Sequence, residues 1–68
     1  MITFELKDEM IELHRLLKTT GLCDSGGMAK LLISEGLVQV DGQVELRKRR
    51  KIRRGQTVEF DDQTIVVS

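Results

Sequence analysis

The side chains with the clearest chemistry lie in one short run, Arg47-Lys48-Arg49-Arg50-Lys51-Ile52-Arg53-Arg54, with seven cations in eight residues. Like charges this close repel one another, and a partner of opposite sign relieves the repulsion. A planar guanidinium can grip a phosphate with two hydrogen bonds, whereas a lysine supplies a compact point charge. Left unheld, such a run is a solvated loop. Here it is short, it lies between strand-like segments, and Ile52 offers an apolar anchor to a core. Held by a fold, these side chains make a surface for phosphates.

Ser25-Gly26-Gly27, at the expected start of a helix, is the next feature. A helix N-terminus presents unpaired N–H groups and the positive end of a dipole, and two glycines let a phosphate backbone come close. A plain N-cap with tight packing accounts for the same residues equally well. Lys30, Arg15 and Lys18 are weaker candidates, because an isolated surface cation needs no partner.

Enzyme chemistry finds little support. His14, Asp24 and Ser25 are the types of a hydrolytic triad, but three common residues in a short chain carry no spacing signal. There is no GxxxxGK[ST] phosphate loop. One Cys and one His cannot build a structural zinc site. Asp61-Asp62 suits a turn better than a catalytic pair, and Cys23 suits a small apolar packing role. No catalytic residue, metal or cofactor is expected. Phe4 and Phe60 are the only aromatics, and both fall in strand patterns. Single-strand readers stack bases on exposed aromatics; this chain lacks that platform, which favours a surface that reads backbone and shape.

These groups must be positioned by 68 residues. That length makes one domain, residues 1–68, with a modest core. The formal net charge is zero, but its distribution is not even. Residues 1–46 carry four basic and eight acidic side chains, 47–54 carry seven basic and none acidic, and 55–68 carry three acidic and none basic. The molecule is polarised although neutral. No apolar run is long enough to span a membrane, and the N-terminus lacks a signal-peptide pattern, so a cytoplasmic location is expected. A single cysteine agrees with a reducing compartment.

Ile2-Thr3-Phe4-Glu5-Leu6 alternates like a half-buried strand. Asp8 is a candidate N-cap for a first helix whose apolar stripe is Met10, Leu13, Leu16 and Leu17, ending at Gly21. Asp24 or Ser25 caps a second helix from about Gly26 to Glu35. Its residues Met28, Ala29, Leu31, Leu32 and Ile33 predict burial over most of the circumference, with Gly27, Lys30 and Ser34 outside. Gly36 closes it. Asp41-Gly42, between Val38-Gln39-Val40 and Val44, predicts a tight hairpin, because both turn residues need positive φ. Val58–Phe60 and Thr64–Val67 read as strands around a polar Asp61-Asp62-Gln63 turn. The class is α+β: an N-terminal strand and two packed helices, then a small antiparallel β region.

The segment from Ser25 to Gly42, with Val44 and Gly55, resembles the alpha-L RNA-binding motif, the S-four domain named after ribosomal small-subunit protein four. The family pattern opens a helix with Ser-Arg, continues with Ala-Arg/Lys, then Gly-x-Val-x-Val-Asn-Gly, a following Val and a later Gly-Asp. Ser25, Ala29, Lys30, Gly36, Val38, Val40, Gly42, Val44 and Gly55 fall on those places, and the likeness covers roughly residues 10–60. It is nearest to short, stand-alone bacterial members with a Ser-Gly-Gly opening and a basic loop. The resemblance implies binding of structured RNA, with Ser25 and Lys30 at the helix edge facing RNA and Arg47, Lys48, Arg49 and Lys51 beside it. Three positions depart from the pattern. Gly26 replaces the usual Arg and shifts the load toward Arg47–Arg54. Asp41 replaces Asn, and Gln56 replaces Asp.

The expected function is therefore non-catalytic binding of structured RNA, with ribosomal RNA, a ribosomal particle or an RNA-modifying enzyme as the partners the resemblance implies, by a monomer. The binding set is Ser25, Gly26, Gly27, Lys30, Arg47, Lys48, Arg49, Arg50, Lys51, Arg53 and Arg54, with Arg15 and Lys18 as secondary members. The alternative is a protein-interaction module whose basic patch docks an acidic partner. Duplex DNA is disfavoured, since no helix carries an Arg/Lys-rich recognition face.

Overall fold

The computed structural model describes residues 1–68. Nine elements follow one another: β1 (Ile2–Phe4), β2 (Ile11–Glu12), α1 (Leu13–Thr19), α2 (Gly26–Ser34), β3 (Val38–Val40), β4 (Gln43–Val44), β5 (Lys51–Ile52), β6 (Thr57–Phe60) and β7 (Gln63–Val67). Five strands form one sheet in the order β1-β7-β6-β3-β4, and β2 pairs with β5 in a separate two-stranded ribbon. All pairings are antiparallel except β1 with β7, which is parallel. The α+β class and the helix-then-sheet order stand as expected. The N-terminal strand also joins the sheet, beside the last strand of the chain.

The helices cover one face of the sheet. Leu13, Leu16 and Leu17 of α1 and Ala29 and Ile33 of α2 pack with Val38, Val40, Val58, Ile65 and Val67 from the strands, and Leu6, Cys23 and Ile52 complete this core. Alternation along β3, β6 and β7 is what sends Val38, Val40, Val58, Ile65 and Val67 inward. Gln39, Glu59, Thr64 and Val44 share the opposite face, as the registers Gln39↔Glu59, Glu59↔Thr64 and Gln39↔Val44 require.

The Asp41-Gly42 turn forms as expected, with φ of +50° and +83°. The second turn uses Asp61 and Asp62, both left-handed at +49° and +63°, while Gln63 belongs to β7 opposite Phe60. Gly36 ends α2 at φ +79°, and an added Cβ there would meet Val44 Cγ1 at 3.7 Å. Ser25, not Asp24, caps α2: its Oγ accepts from the Met28 N–H at 3.1 Å.

Two expectations need correction. Helix α1 begins at Leu13, and Asp8 does not cap it; Ile11–Glu12 is extended and paired with Lys51–Ile52. Met10 is consequently 39% exposed and outside the apolar stripe. The physical reason is tertiary: the first amides of α1 find their acceptors on a distant loop. Helix α2 is not mostly buried either. Only Ala29 and Ile33 are fully covered, and Met28 and Leu31 are about half exposed, at 47% and 53%. A single layer of two helices on one sheet leaves each helix one face without a neighbour, whatever its composition.

Candidate nucleic-acid interface

The basic run is fastened at both ends and in the middle. The Leu13 N–H donates to the Arg50 carbonyl at 2.9 Å, and the His14 N–H donates to the Lys48 carbonyl at 3.2 Å. These are the first two amides of α1, which a helix leaves without internal acceptors. The loop thus caps the helix, and the helix fixes the loop. Arg50 N–H closes a tight turn on the Arg47 carbonyl at 3.2 Å. Lys51 and Ile52 then enter the ribbon with β2, and Ile52 is fully buried. The anchoring role expected of Ile52 is what its burial provides.

Glu45 holds the side chains. Its Oε2 accepts from the Arg47 backbone N–H and from Arg47 Nε, both at 3.0 Å. Its Oε1 accepts from Arg47 Nη2 at 3.1 Å and from Arg50 Nη1 at 2.7 Å. Glu45 is the one buried charged residue, only 8% exposed. The hydrogen bonds from the Arg47 side chain are the main reason its carboxyl sits at about 2, below the ordinary 4.5; burial opposes that shift, and the Arg47 N–H and Arg50 add to it. The same pair raises Arg47. Nothing in the sequence singled out Glu45. An acid two residues before an arginine is common, and only the bend at Arg47 turns the pair into a clamp.

The result is an open cleft lined by Lys30, Arg47, Lys48, Arg49, Arg50 and Lys51, without a hydrophobic residue. Six cations converge on it from α2, the loop and β5, which brings Lys30 to residues distant in sequence. Such a cleft attracts polyanions, and Arg47 and Arg50, held by Glu45, give their oxygens N–H donors of fixed direction.

The other expected residues lie elsewhere. Arg15 and Lys18 border a separate depression with His14, Thr19 and Gly26. Arg15 also shares a groove with Lys51, which lines the main cleft as well. Ser25 and Gly27 border neither basic depression; the Ser25 side chain is spent on the α2 cap. Arg53 and Arg54 follow the ribbon and line no part of the cleft. The Arg54 guanidinium donates to the Leu6 carbonyl, a contact spanning most of the chain. Arg53 N–H donates to Gln56 Oε1 at 2.8 Å.

Asp41 and Gln56, two of the departures noted above, bond to each other. Gln56 Nε2 donates to Asp41 Oδ2 at 3.0 Å, and the Thr57 N–H donates to Asp41 Oδ1 at 2.9 Å. The Thr57 bond, then the Gln56 bond, hold the Asp41 carboxyl below its ordinary value.

Comparison with known proteins agrees with this architecture. The S4 domain family matches residues 4–68. YbcJ of Escherichia coli (strain K12), named for RNA binding, is 52% identical over 68 residues, covering 98% of this chain and 97% of that protein. RlbA of Bacillus subtilis (strain 168), named for ribosome maturation, is 42% identical over 53 residues, covering 78% and 75%. The solution structure of YbcJ from E. coli, described as an alpha-L motif involved in RNA binding, superposes with a TM-score of 0.75 at 51% identity, covering 98% of this chain and 86% of that one. The fold also matches the 30S ribosomal protein S4e from Thermoplasma acidophilum, with a TM-score of 0.64 at 24% identity over 85% of this chain and 31% of that one.

Proposed function

The chain belongs to the S4 domain family, and on that premise we propose that it is a non-catalytic protein that binds structured RNA through the cleft formed by Lys30, Arg47, Lys48, Arg49, Arg50 and Lys51. The observation that carries this reading is the cleft itself: six cations and no apolar lining, on a loop tied to α1 by two backbone hydrogen bonds. A mobile basic tail binds any polyanion. Cations carried on a backbone that is held in place favour phosphates spaced as a folded RNA spaces them. Phe4 and Phe60 both pack against the core, which leaves no aromatic platform for unstacked bases.

The name of RlbA leads us to extend the proposal to ribosomal RNA during ribosome maturation; a cytoplasmic location and a monomeric state complete it. Residues 1–68 act in this reading as one domain. Ser25, Gly26, Gly27, Arg53 and Arg54, which do not line the cleft, become secondary members of the binding set, and Arg15 and Lys18 extend it around α1 through Lys51.

The test is binding to RNA hairpins, matched single strands and matched DNA duplexes across a salt series. If about four phosphates are engaged, log affinity falls against log salt with a slope of roughly −3 to −4. The double variant Lys48→Ala/Arg49→Ala lowers that slope by about 1 for each residue removed. Equal and weak binding to all three probes would sink the proposal and favour an acidic protein partner for the same patch.

A further inference from the structure

We infer that Glu45 is a positioning residue for RNA binding: by clamping Arg47 and Arg50 it holds the basic loop in its bound shape before any RNA arrives. The inference rests on the RNA-binding reading above. It concerns a residue whose charge is the wrong sign for that task, and this makes it sharply testable.

The geometry is unusual for a carboxylate beside a phosphate site. Glu45 accepts four hydrogen bonds, three from Arg47 and one from Arg50. Its side chain is only 10% exposed, whereas that of Arg47 is 72% exposed and that of Arg50 31%. The carboxylate is therefore mostly covered: Arg47 and Arg50 line the main cleft and Glu45 does not, although Glu45 borders a neighbouring depression with both arginines and Asp41. A polyanion approaching the cleft meets the outer edges of Arg47 and Arg50, not the acid. Glu45 is itself fixed, since its N–H donates to the Val38 carbonyl at 3.0 Å at the edge of the sheet. The chain of support runs from the sheet to Glu45, to the two arginines, to the cleft.

Each long side chain frozen on binding weakens association, and a side chain already frozen does not. Two arginines locked in advance remove that loss twice. Lys48, Arg49 and Lys51 have no acid partner and remain free to follow the RNA. The loop thus combines two fixed forks with three adaptable cations.

Charge alone predicts the opposite effect. Removing the acid raises the positive charge of the cleft by one, which tightens polyanion binding. Positioning predicts weaker binding despite that gain. Gln cannot take over the task, because its single oxygen must replace two that together accept four donors. Asp keeps the charge but draws the carboxylate back by one methylene.

The experiment compares the full chain with its Glu45→Gln and Glu45→Asp variants. The free proteins are examined first, by the ¹⁵N-resolved Nε–H signals of arginine. Arg47 Nε–H should give a shifted, exchange-protected signal in the parent protein and move to the solvent-exposed position in both variants. Affinity for a synthetic G·C-rich RNA stem-loop is then measured across a salt series. Both variants should bind about five- to fifty-fold more weakly. A Glu45→Gln variant that binds more tightly, or a Glu45→Asp variant that binds equally well, overturns the inference. Should Glu45→Gln fail to fold, Glu45→Asp decides alone, because it leaves no buried donor facing the arginines. If the parent protein does not bind the stem-loop while its Arg47 signal is protected, the RNA reading fails and the clamp itself stands.

Discussion

Glu45 and Arg54 each do something their residue type alone does not disclose, whereas Cys23 and Ile52 pack in the core as their types suggest. Ile52 interrupts a run of cations, and its full burial makes it the fastener of the whole segment. Ile52→Ala should destabilise the fold by about 2–5 kcal/mol, the usual result of emptying a packed site; thermal unfolding measures it. Arg54→Ala should remove about 1–2 kcal/mol by stranding the Leu6 carbonyl, a loss that Lys48→Ala does not share, since Lys48 uses only its backbone in the fold. Glu45 sets a pH limit. Its folded value of about 2 lies below the ordinary 4.5, so the stability it contributes is complete above about pH 4.5 and disappears as pH falls toward 2. Asp41 shifts the same way and adds to the acid loss. Denaturation followed from pH 6 to 2 should fall in that window, and a curve flat through it would contradict the clamp. Burial, and then Asp24, raise the Cys23 thiol, so it should resist alkylation until the chain unfolds.

At the scale of elements, local chemistry explains the ends of α2 and the hairpins better than it explains α1. The Ser25 cap and the left-handed Gly36 were legible because their partners lie within a few residues. The same holds for Asp41-Gly42, where both turn residues adopt positive φ. The second hairpin is less well matched to its turn. Asp61 and Asp62 both sit in the left-handed region, which is unfavourable for any residue with a Cβ, although Asp tolerates it better than most. Asp62→Gly should therefore stabilise the protein by about 0.5–1 kcal/mol, read as a higher melting temperature; a lower one would mean that the Asp62 side chain supports the turn. Helix α1 was misread at its start because its acceptors, the Lys48 and Arg50 carbonyls, lie more than thirty residues away. Asp8 has the right type for a cap but the wrong position once Ile11–Glu12 pairs with β5. Met10 drops out of the apolar stripe for the same reason, since it precedes the helix, whereas Leu13, Leu16 and Leu17 form it.

Over the whole molecule, the parallel pairing of β1 with β7 ties the two ends of the chain into one sheet. Leu6 N–H to the Ser68 carbonyl and Ser68 N–H to the Phe4 carbonyl, at 2.8 and 2.9 Å, continue that seam. Such contacts are among the most distant in sequence that the chain makes, so unfolding should be one cooperative transition, with backbone circular dichroism and amide exchange of β1 and β7 reporting the same stability. Earlier loss of β1 would show the seam to be an appendage. The charge polarisation also becomes spatial at this scale. Lys30 joins the loop cations on one cleft, whereas Asp61 and Asp62 sit with Glu59 around another depression.

The sequence by itself determined the helix-to-sheet order, the Asp41-Gly42 turn, the start of α2 to within one residue, and the density of cations over residues 47–54. Those features depend on periodicity, on turn residues and on charge density, all of which act over a few positions. Only the tertiary structure decided where α1 begins, which cations share a cleft, and which are committed to holding the fold. The same holds for Glu45, whose worth lies in donors brought to it by a bend, and for Met28 and Leu31, whose exposure depends on the absence of a third layer. Hydrogen bonds and burial between distant segments exist only once the chain has closed, and no local pattern encodes their direction.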